Sequence, residues 1–343
     1  MSLMDRVTRL LFGASSGTGR DIDRKLVSDV TDAIVEAVDP RVKLRSGFRD
    51  KLAEGVRLTI AHLRALARES LQPLVLSRAA WSQDPHVRAF FASADDIPAC
   101  IGRSREIRRF FEQHAACDEA WALLGMRRDE KRVLAPRLVG GVMRPDVAQT
   151  TVSFTGHRLI APAADEPGAR LEIGMRIMQR LAQLVGARIV AVDEKVKDLE
   201  LHKAYLAMKL RMLQHGRDGL GALVTDPATV ELQIADVERE LAEATRGHRE
   251  AKASLATLDG TIAHINAILT HPDQQVDLVH RRMRVTLLGV QVEGSATDEP
   301  ANDLLLDDLS IGEGLTVTIA LVRIPRTELP PKEGLLARAE QLL

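Results

Sequence analysis

Apolar residues recur at alternating steps of four and three over two stretches, and this spacing constrains the fold more than any other feature. The first stretch runs from Leu171 to Leu213 and has one polar member, Lys203; the second runs from Val230 to Leu269 and also has one, His248. An average spacing of 3.5 residues places a narrow apolar stripe along a helix, as in left-handed coiled coils. We therefore predict a long antiparallel coiled-coil hairpin over residues 169–275, with its tip at 214–229.

The predicted tip contains glycines and a proline, and it also contains apolar residues in a turn that we expect to be remote. One interpretation is that they close the end of the helical seam. The other is that they bind a protein partner, and the candidate partner-binding residues are then Leu220, Leu223 and Val224.

Composition limits the class of protein. A chain of 343 residues with 45% hydrophobic residues can bury a sizeable core, so it is not a disordered chain. The formal net charge of −1 provides no overall field that attracts nucleic acid, which we do not expect as a partner. The two cysteines do not form a zinc or disulfide pattern, and no apolar run is long enough to span a bilayer. We expect a cytoplasmic protein, with peripheral membrane association as the alternative.

The first twelve residues have the spacing of a short amphipathic helix with basic side chains opposite its apolar side. A flexible glycine-rich stretch follows, so residues 1–19 are predicted to be a helix on a tether. Such a helix either binds an anionic membrane surface or a partner, or packs against its own domain. Its candidate binding residues are Leu3, Val7, Leu10, Leu11, Arg6 and Arg9.

Residues 20–135 have repeated helical spacing and Asp-Pro helix starts, which predicts an N-terminal helical bundle. Arginine is concentrated in its second half, and arginine binds phosphate groups well because the planar guanidinium matches their oxygens. Acidic residues are interleaved with these arginines, so an ordinary mixed-charge surface is the alternative. The candidate anion patch is Arg105, Arg108, Arg109, Arg127 and Arg128.

β-branched residues and a loss of helical spacing predict strands near 149–160, 283–292 and 314–324. We assign 136–168 and 276–343 to a small β-rich base domain, including a short terminal helix at 332–343. The predicted fold is therefore mainly α, of the α+β class: an N-terminal helical bundle and a small antiparallel sheet into which the coiled-coil hairpin is inserted.

Two short strings resemble parts of nucleotide-binding families. The segment from Gly13 to Arg20 resembles the dinucleotide loop of short-chain dehydrogenases, whose Tyr-x-x-x-Lys pair also has a counterpart in Tyr205 and Lys209. That resemblance implies a nicotinamide-dependent enzyme. The residues before Gly13 have helical spacing, however, and alternating strands and helices do not follow them, so we do not expect this fold.

The string Val152–Arg158 is similar to the first strand and loop of the nucleotide-binding domains in the lysine-decarboxylase-like group. The resemblance implies that Gly156 and His157 lie in a loop facing a nucleotide, with residues 170–186 as the following helix. The later strands of such a fold have no counterpart in this sequence.

Our functional prediction is a non-enzymatic scaffold or adaptor that uses its coiled-coil arm for protein–protein interaction or self-association. The alternatives are a peripheral membrane protein anchored by residues 1–12 and a nucleotide-binding enzyme using Gly156 and His157. We expect no cofactor and no metal, because the ten histidines have no metal-ligand spacing. No local catalytic signature surrounds a serine or cysteine, so no catalytic residue is predicted.

Overall fold

The computed structural model describes residues 24–68, 71–139, 142–218, 226–292, 300–312, 314 and 316–331. These residues form two compact units. The sheet unit contains the described residues of 60–178 and 272–331, and the helical unit contains those of 24–59 and 179–271.

The chain is a mixed α+β protein, as predicted. The helices of its described part are α1 Arg24–Val38, α2 Phe48–Arg68, α3 Arg78–Gln83, α4 Pro85–Phe90, α5 Asp96–Arg103, α6 Arg105–Gln113, α7 Glu166–Asp218, α8 Pro227–Ala256, α9 Leu258–Leu269 and α10 Pro272–Gln275, with 3₁₀ helices at Pro40–Leu44 and Arg326–Glu328. The strands are β1 Leu74–Val75, β2 Glu119–Val139, β3 Val142–Ala163, β4 Val276–Thr286, β5 Ala301–Ile311 and β6 Thr316–Pro325.

One sheet contains all these strands, in the order β3-β2-β6-β5-β4, with neighbours antiparallel and β1 parallel to β6. The two ends of this order are also connected. After β4 the chain turns back, the Val152 N–H donates to the Gly289 carbonyl at 2.7 Å, and the Gln291 N–H donates to the Thr150 carbonyl at 2.8 Å. Gly289 has φ +77°, and a Cβ there would lie 2.9 Å from the Val152 carbonyl oxygen, so this turn requires glycine.

Strand β6 is central, and both of its faces are buried. On one face, Ala320, Val322 and Ile324 belong to a core formed with α4–α6. The side chains that these helices contribute to the core include Phe90, Ile97, Ile101, Ile107 and Phe110, and Phe91 joins them directly after α4. On the other face, Ile319 lines a small apolar cavity of about 60 Å³ together with side chains of α2 and α7 such as Leu63 and Ile173.

Residues 119–135 correct the predicted helical bundle, because they form most of strand β2. Ala120, Ala122 and Leu124 are all fully buried, and this period of two is the strand signal within that segment. Strand β5 is a second correction, because the sequence analysis predicts no strand between 292 and 314. The predicted terminal helix at 332–343 lies outside the described residues.

In the helical unit, α7 and α8 pack against each other through residues of the predicted stripe. Leu206, Val237 and Ala244 are buried in one cluster, with Leu210, Leu213 and Leu241 packed against it. A Cβ placed on Gly247 of α8 would lie 3.8 Å from Leu199 Cδ1 of α7, which gives the alignment of the two helices.

The second predicted helix is interrupted near its end. Thr257 has an extended backbone and its Oγ1 accepts a hydrogen bond from the Gly260 N–H at 3.1 Å, so it caps a new helix, α9. Ionic contacts hold the start of α9, since Asp259 pairs with Arg45 and Lys51. Their hydrogen bonds, that from Arg45 above all, lower the pKa of Asp259 to about 2.

Gly260 provides a test of this break. A Cβ at Gly260 would lie 1.9 Å from the Ser254 carbonyl oxygen, so the backbone would have to shift. We predict that Gly260→Ala lowers the free energy of unfolding by about 1–3 kcal/mol, measured by urea titration. In the control Gly186→Ala the new Cβ has no heavy atom within 4 Å. This control should gain up to about 1 kcal/mol from helix propensity. Equal behaviour of the two variants would contradict the tight contact.

Candidate functional site

Helix α7 has a second apolar stripe that sequence analysis missed. Leu201, Tyr205, Met208 and Met212 are 72%, 54%, 55% and 67% exposed. Their steps of four, three and four match those of the buried seam, displaced by two residues along the helix. A search for more than one register of the heptad pattern would have found them. Four large apolar side chains on one exposed helix face are typical of a binding surface, whereas scattered ones are not.

The part of α7 that contains this stripe differs in charge from the start of α8. Residues 195–212 of α7 contain five basic and two acidic residues, and residues 227–243 of α8 contain five acidic and one basic. The outer face of α8 also has a narrow apolar strip, formed by Leu232, Ala235 and Ala242, all of which are exposed. Its acidic neighbours are the exposed Glu231, Asp236, Glu238 and Glu243. The α7 surface near Met208 and Met212 is basic, whereas the α8 surface is acidic and contains two small alanines beside Leu232.

Two predicted sites lie outside the described residues. They are the tip residues Leu220, Leu223 and Val224, and the amphipathic helix with Leu3, Val7, Leu10, Leu11, Arg6 and Arg9. The glycine string from Gly13 to Arg20 also lies outside them. All three stay predictions.

The predicted anion patch divides into two groups. Arg108 lies between α5 and the chain after β6, where its Nε donates to the Gly102 carbonyl at 2.7 Å and its Nη1 to the Pro330 carbonyl at 3.2 Å. Arg127 and Arg128 lie on strand β2 and pair with acidic side chains. These three arginines therefore already have partners within the protein.

Arg128 belongs to a nearly buried ionic group in the sheet. Its Nη1 lies 2.8 Å from Asp308 Oδ2, and the two side chains are only 13% and 7% exposed. Thr318 Oγ1 donates to Asp308 Oδ1 at 2.8 Å, and Arg281 Nε lies 3.5 Å from Asp308 Oδ2. A buried carboxylate needs such partners, because removal from water penalises its charge.

Arg105 and Arg109 lie one turn apart on α6 and line an open groove. This first groove, of about 660 Å³, also contains Arg176 and Glu106. Arg105 and Glu106 additionally line a second groove of about 390 Å³ with Arg103 and Arg158. Sequence analysis missed Arg158 and Arg176 as members of this cluster, because β3 and α7 come together with α5 and α6 only in the folded sheet unit.

His157 lies within strand β3, opposite β2, so the loop expected from the nucleotide-binding resemblance is wrong. Its ring stacks on Phe91 at 4.5 Å, and its Nε2 is 2.7 Å from the Phe90 carbonyl oxygen. Burial lowers the pKa of His157, and the nearby charge of Arg103 adds to the effect, whereas the hydrogen bond to Phe90 opposes it. The neutral imidazole, with Nε2–H donating to the carbonyl, satisfies this geometry.

Other candidate chemistry is limited in the part of the chain that the structure describes. Burial raises the pKa of the Cys100 thiol to about 11, so it stays protonated at neutral pH. Residues that could together hold a metal ion are not found in the described ranges. Tyr205 and Lys209, the counterparts of the dehydrogenase pair, lie on the exposed surface of α7. None of the described helices is long and apolar enough to cross a membrane.

The Arg128–Asp308 pair generates a stability prediction. Arg128→Met should lower the free energy of unfolding by about 3 kcal/mol, because the nearly buried Asp308 side chain loses its main partner. The double variant Arg128→Met/Asp308→Leu should recover most of that loss. The neighbouring control Arg127→Met removes an arginine that is 72% exposed and should cost less than about 1 kcal/mol. Equal losses in both single variants, by urea titration, would contradict a buried role for Arg128.

The lowered pKa of His157 generates a pH prediction. Below about pH 6.5, the ordinary pKa of histidine, the unfolded chain binds a proton that folded His157 resists, so stability falls as pH falls. We expect wild type to lose more stability between pH 7.5 and pH 5.5 than His157→Gln, whose amide N–H can still donate to Phe90. A control at the exposed His202, His202→Gln, should follow wild type. A wild-type loss no larger than that of His157→Gln would rule out the buried imidazole as its source.

Comparison with protein-family models, curated proteins and solved structures gives no match. Function must therefore be inferred from the chain's own geometry. Two surfaces stand out within the described residues: the exposed stripe of α7 and the arginine-lined grooves beside α6.

Proposed function

We propose that this protein is a non-enzymatic scaffold that self-associates through a coiled-coil hairpin formed by α7 and α8. The observation that carries the proposal is the exposed stripe of Leu201, Tyr205, Met208 and Met212, on the side of α7 opposite a seam that is already filled. Residues 179–218 of α7 provide a helical surface of roughly 60 Å, at 1.5 Å per residue. A second helix packed on the stripe would remove these side chains from water, which is favourable.

The occupant that best fits the stripe is α8 of a second copy. The Met208–Met212 end of the stripe is flanked by basic residues, so two α7 helices facing each other there would repel. The exposed basic residues near the stripe are Lys195, Lys197, Lys209 and Arg211, and the exposed acidic ones are Asp198 and Glu200 beside Leu201. The outer face of α8 is acidic and contains the small residues Ala235 and Ala242, beside which bulky methionine and tyrosine side chains can pack.

The alignment of α7 with α8 in one copy is also compatible with the pairing of α7 with α8 of a second copy. Leu199 packs at the level of Gly247, so Met212 lies at about the level of Leu232 and Ala235. Two hairpins placed side by side with their turns at the same end would bring these residues opposite each other. A displacement of two residues turns a side chain by about 200° around a helix, so the stripe faces away from the seam and a single α7–α8 contact joins the two copies.

The strength of such an association can be bounded. If each of the four stripe side chains contributes about 2 kcal/mol on burial, the sum of about 8 kcal/mol corresponds to a micromolar dissociation constant before ordering costs. We therefore expect dimers at concentrations of tens to hundreds of micromolar, measured by sedimentation equilibrium. Tyr205→Gln/Met208→Gln should be monomeric there with an unchanged circular dichroism spectrum, because both side chains are exposed. The control Leu44→Gln/Val190→Gln replaces exposed apolar residues outside the stripe and should still dimerise.

Charge exchange between two chains tests the proposed partner helix. Lys209→Glu/Arg211→Glu and Glu231→Lys/Glu238→Lys should each weaken self-association, because each places like charges on facing helices. Mixing the two variants should restore complexes that contain both chains, because the helices that face each other regain opposite charges. A wild-type monomer at all concentrations would reject self-association, and failure of the mixture to restore dimers would reject the α7–α8 pairing.

A further inference from the structure

The two grooves beside α6 form a continuous arginine-rich surface. They share Arg105 and Glu106, and together they are lined by five guanidinium groups and two carboxylates. The arginines are Arg103, Arg105, Arg109, Arg158 and Arg176, and the acids are Glu106 and Glu172. The excess of three positive charges is local, since the whole chain has a net charge of −1.

Four of these arginines have no carboxylate partner within the described residues. Ion pairs occupy many of the other arginines, but no described acidic side chain pairs with Arg103, Arg105, Arg109 or Arg158. All four are exposed. Their guanidinium groups are therefore available to a ligand, and each can form charge-assisted hydrogen bonds with an anion.

Glu106 supports the groove and does not compete strongly with an anion. Its Oε2 lies 3.0 Å from Arg176 Nη2 and accepts a hydrogen bond from the Ala161 N–H at 3.1 Å. Ala161 has φ +58°, an unusual conformation for a residue other than glycine. The Glu106 charge is thus compensated locally, and it holds α6 against the end of β3 where the grooves meet.

The start of α6 adds further positive potential. Ser104 caps this nine-residue helix, accepting a hydrogen bond from the Ile107 N–H at 3.3 Å while its own hydroxyl donates to the Leu159 carbonyl at 3.0 Å. Arg105 is the first residue of the helix, where backbone N–H groups and the helix dipole favour an anion. The guanidinium groups and the N-terminus of α6 therefore both contribute positive potential where the two grooves meet.

We propose that these grooves bind a ligand carrying two or more linked phosphate groups. Phosphate oxygens match the guanidinium geometry, and arginines in both grooves around Arg105 suit a ligand with several anionic groups better than a single anion. Such a group can belong to a soluble polyphosphate compound or to a phosphorylated lipid headgroup. The site is distinct from the stripe of α7, so neither proposal depends on the other.

Calorimetric titration of the full chain with inorganic tripolyphosphate at physiological salt tests the proposal. We expect one saturable site, and at least a tenfold loss of affinity in Arg105→Gln/Arg109→Gln, since two guanidinium contacts are removed. The control Lys131→Gln/Arg132→Gln removes the same charge from exposed residues of β2 outside the grooves and should stay within twofold of wild type. Thermal melting of both variants checks that these exposed substitutions leave the fold intact.

A second experiment identifies whether the phosphate groups belong to a soluble compound or to a lipid. Phosphatidylcholine vesicles are compared with and without a bisphosphorylated phosphoinositide by co-sedimentation. Binding of tripolyphosphate alone indicates a soluble ligand, whereas vesicle binding that is lost in Arg105→Gln/Arg109→Gln indicates a lipid headgroup. The proposal is overturned if neither probe binds, or if the groove and control variants lose affinity equally. The oligomer mass of the same samples reports separately on self-association.

Discussion

The packing of helices α4–α6 on one face of the sheet determines where the functional candidates of the sheet unit lie. Strand β6 is buried on both faces, so its apolar residues must be covered on two sides. Phenylalanine and isoleucine side chains of the short helices provide that cover on one side. Burial of this much apolar surface is the dominant favourable term in folding. The outward side of α6 is then left in water, and Arg105 and Arg109 lie there.

In the helical unit, packing also buries one side of a helix and leaves another side in water, but here the exposed side is apolar. One stripe of α7 is buried against Val237 and Ala244 of α8. The second stripe, from Leu201 to Met212, stays exposed because a pair of helices covers only one narrow side of each. Helix pairs with a further apolar side bury it when more helices are added, as in four-helix bundles. The exposed stripe is therefore the feature on which the proposed association rests.

Several polar groups inside the sheet unit have structural roles. Asp308 is surrounded by Arg128, Thr318 and Arg281, and His157 is held between Phe91 and the Phe90 carbonyl. Arg108 donates to backbone carbonyls. The same residue type thus has different roles on neighbouring elements: an arginine that faces an acid or a carbonyl stabilises the fold, whereas one that faces water beside a helix terminus can bind a ligand.

Local periodicity determined the elements with strong repeats. The spacing from Leu171 to Leu213 and the Asp-Pro helix starts predicted helices that are present, because an amphipathic helix encodes its buried side in its own sequence. The α+β class also followed, from the β-branched segments near 152–160 and 316–324.

Tertiary structure decided the rest. Residues 119–135 join strand β2 because β3 and β6 pair with them, and such pairing comes from distant segments that no local pattern specifies. The Thr257 break depends on the close approach of Gly260 to Ser254. The charges around Arg105 come from four separate elements, so only the folded sheet unit brings them together. The sequence determines which sides of the helices are apolar and can be buried. Long-range packing decides which of those sides are covered and which stay exposed.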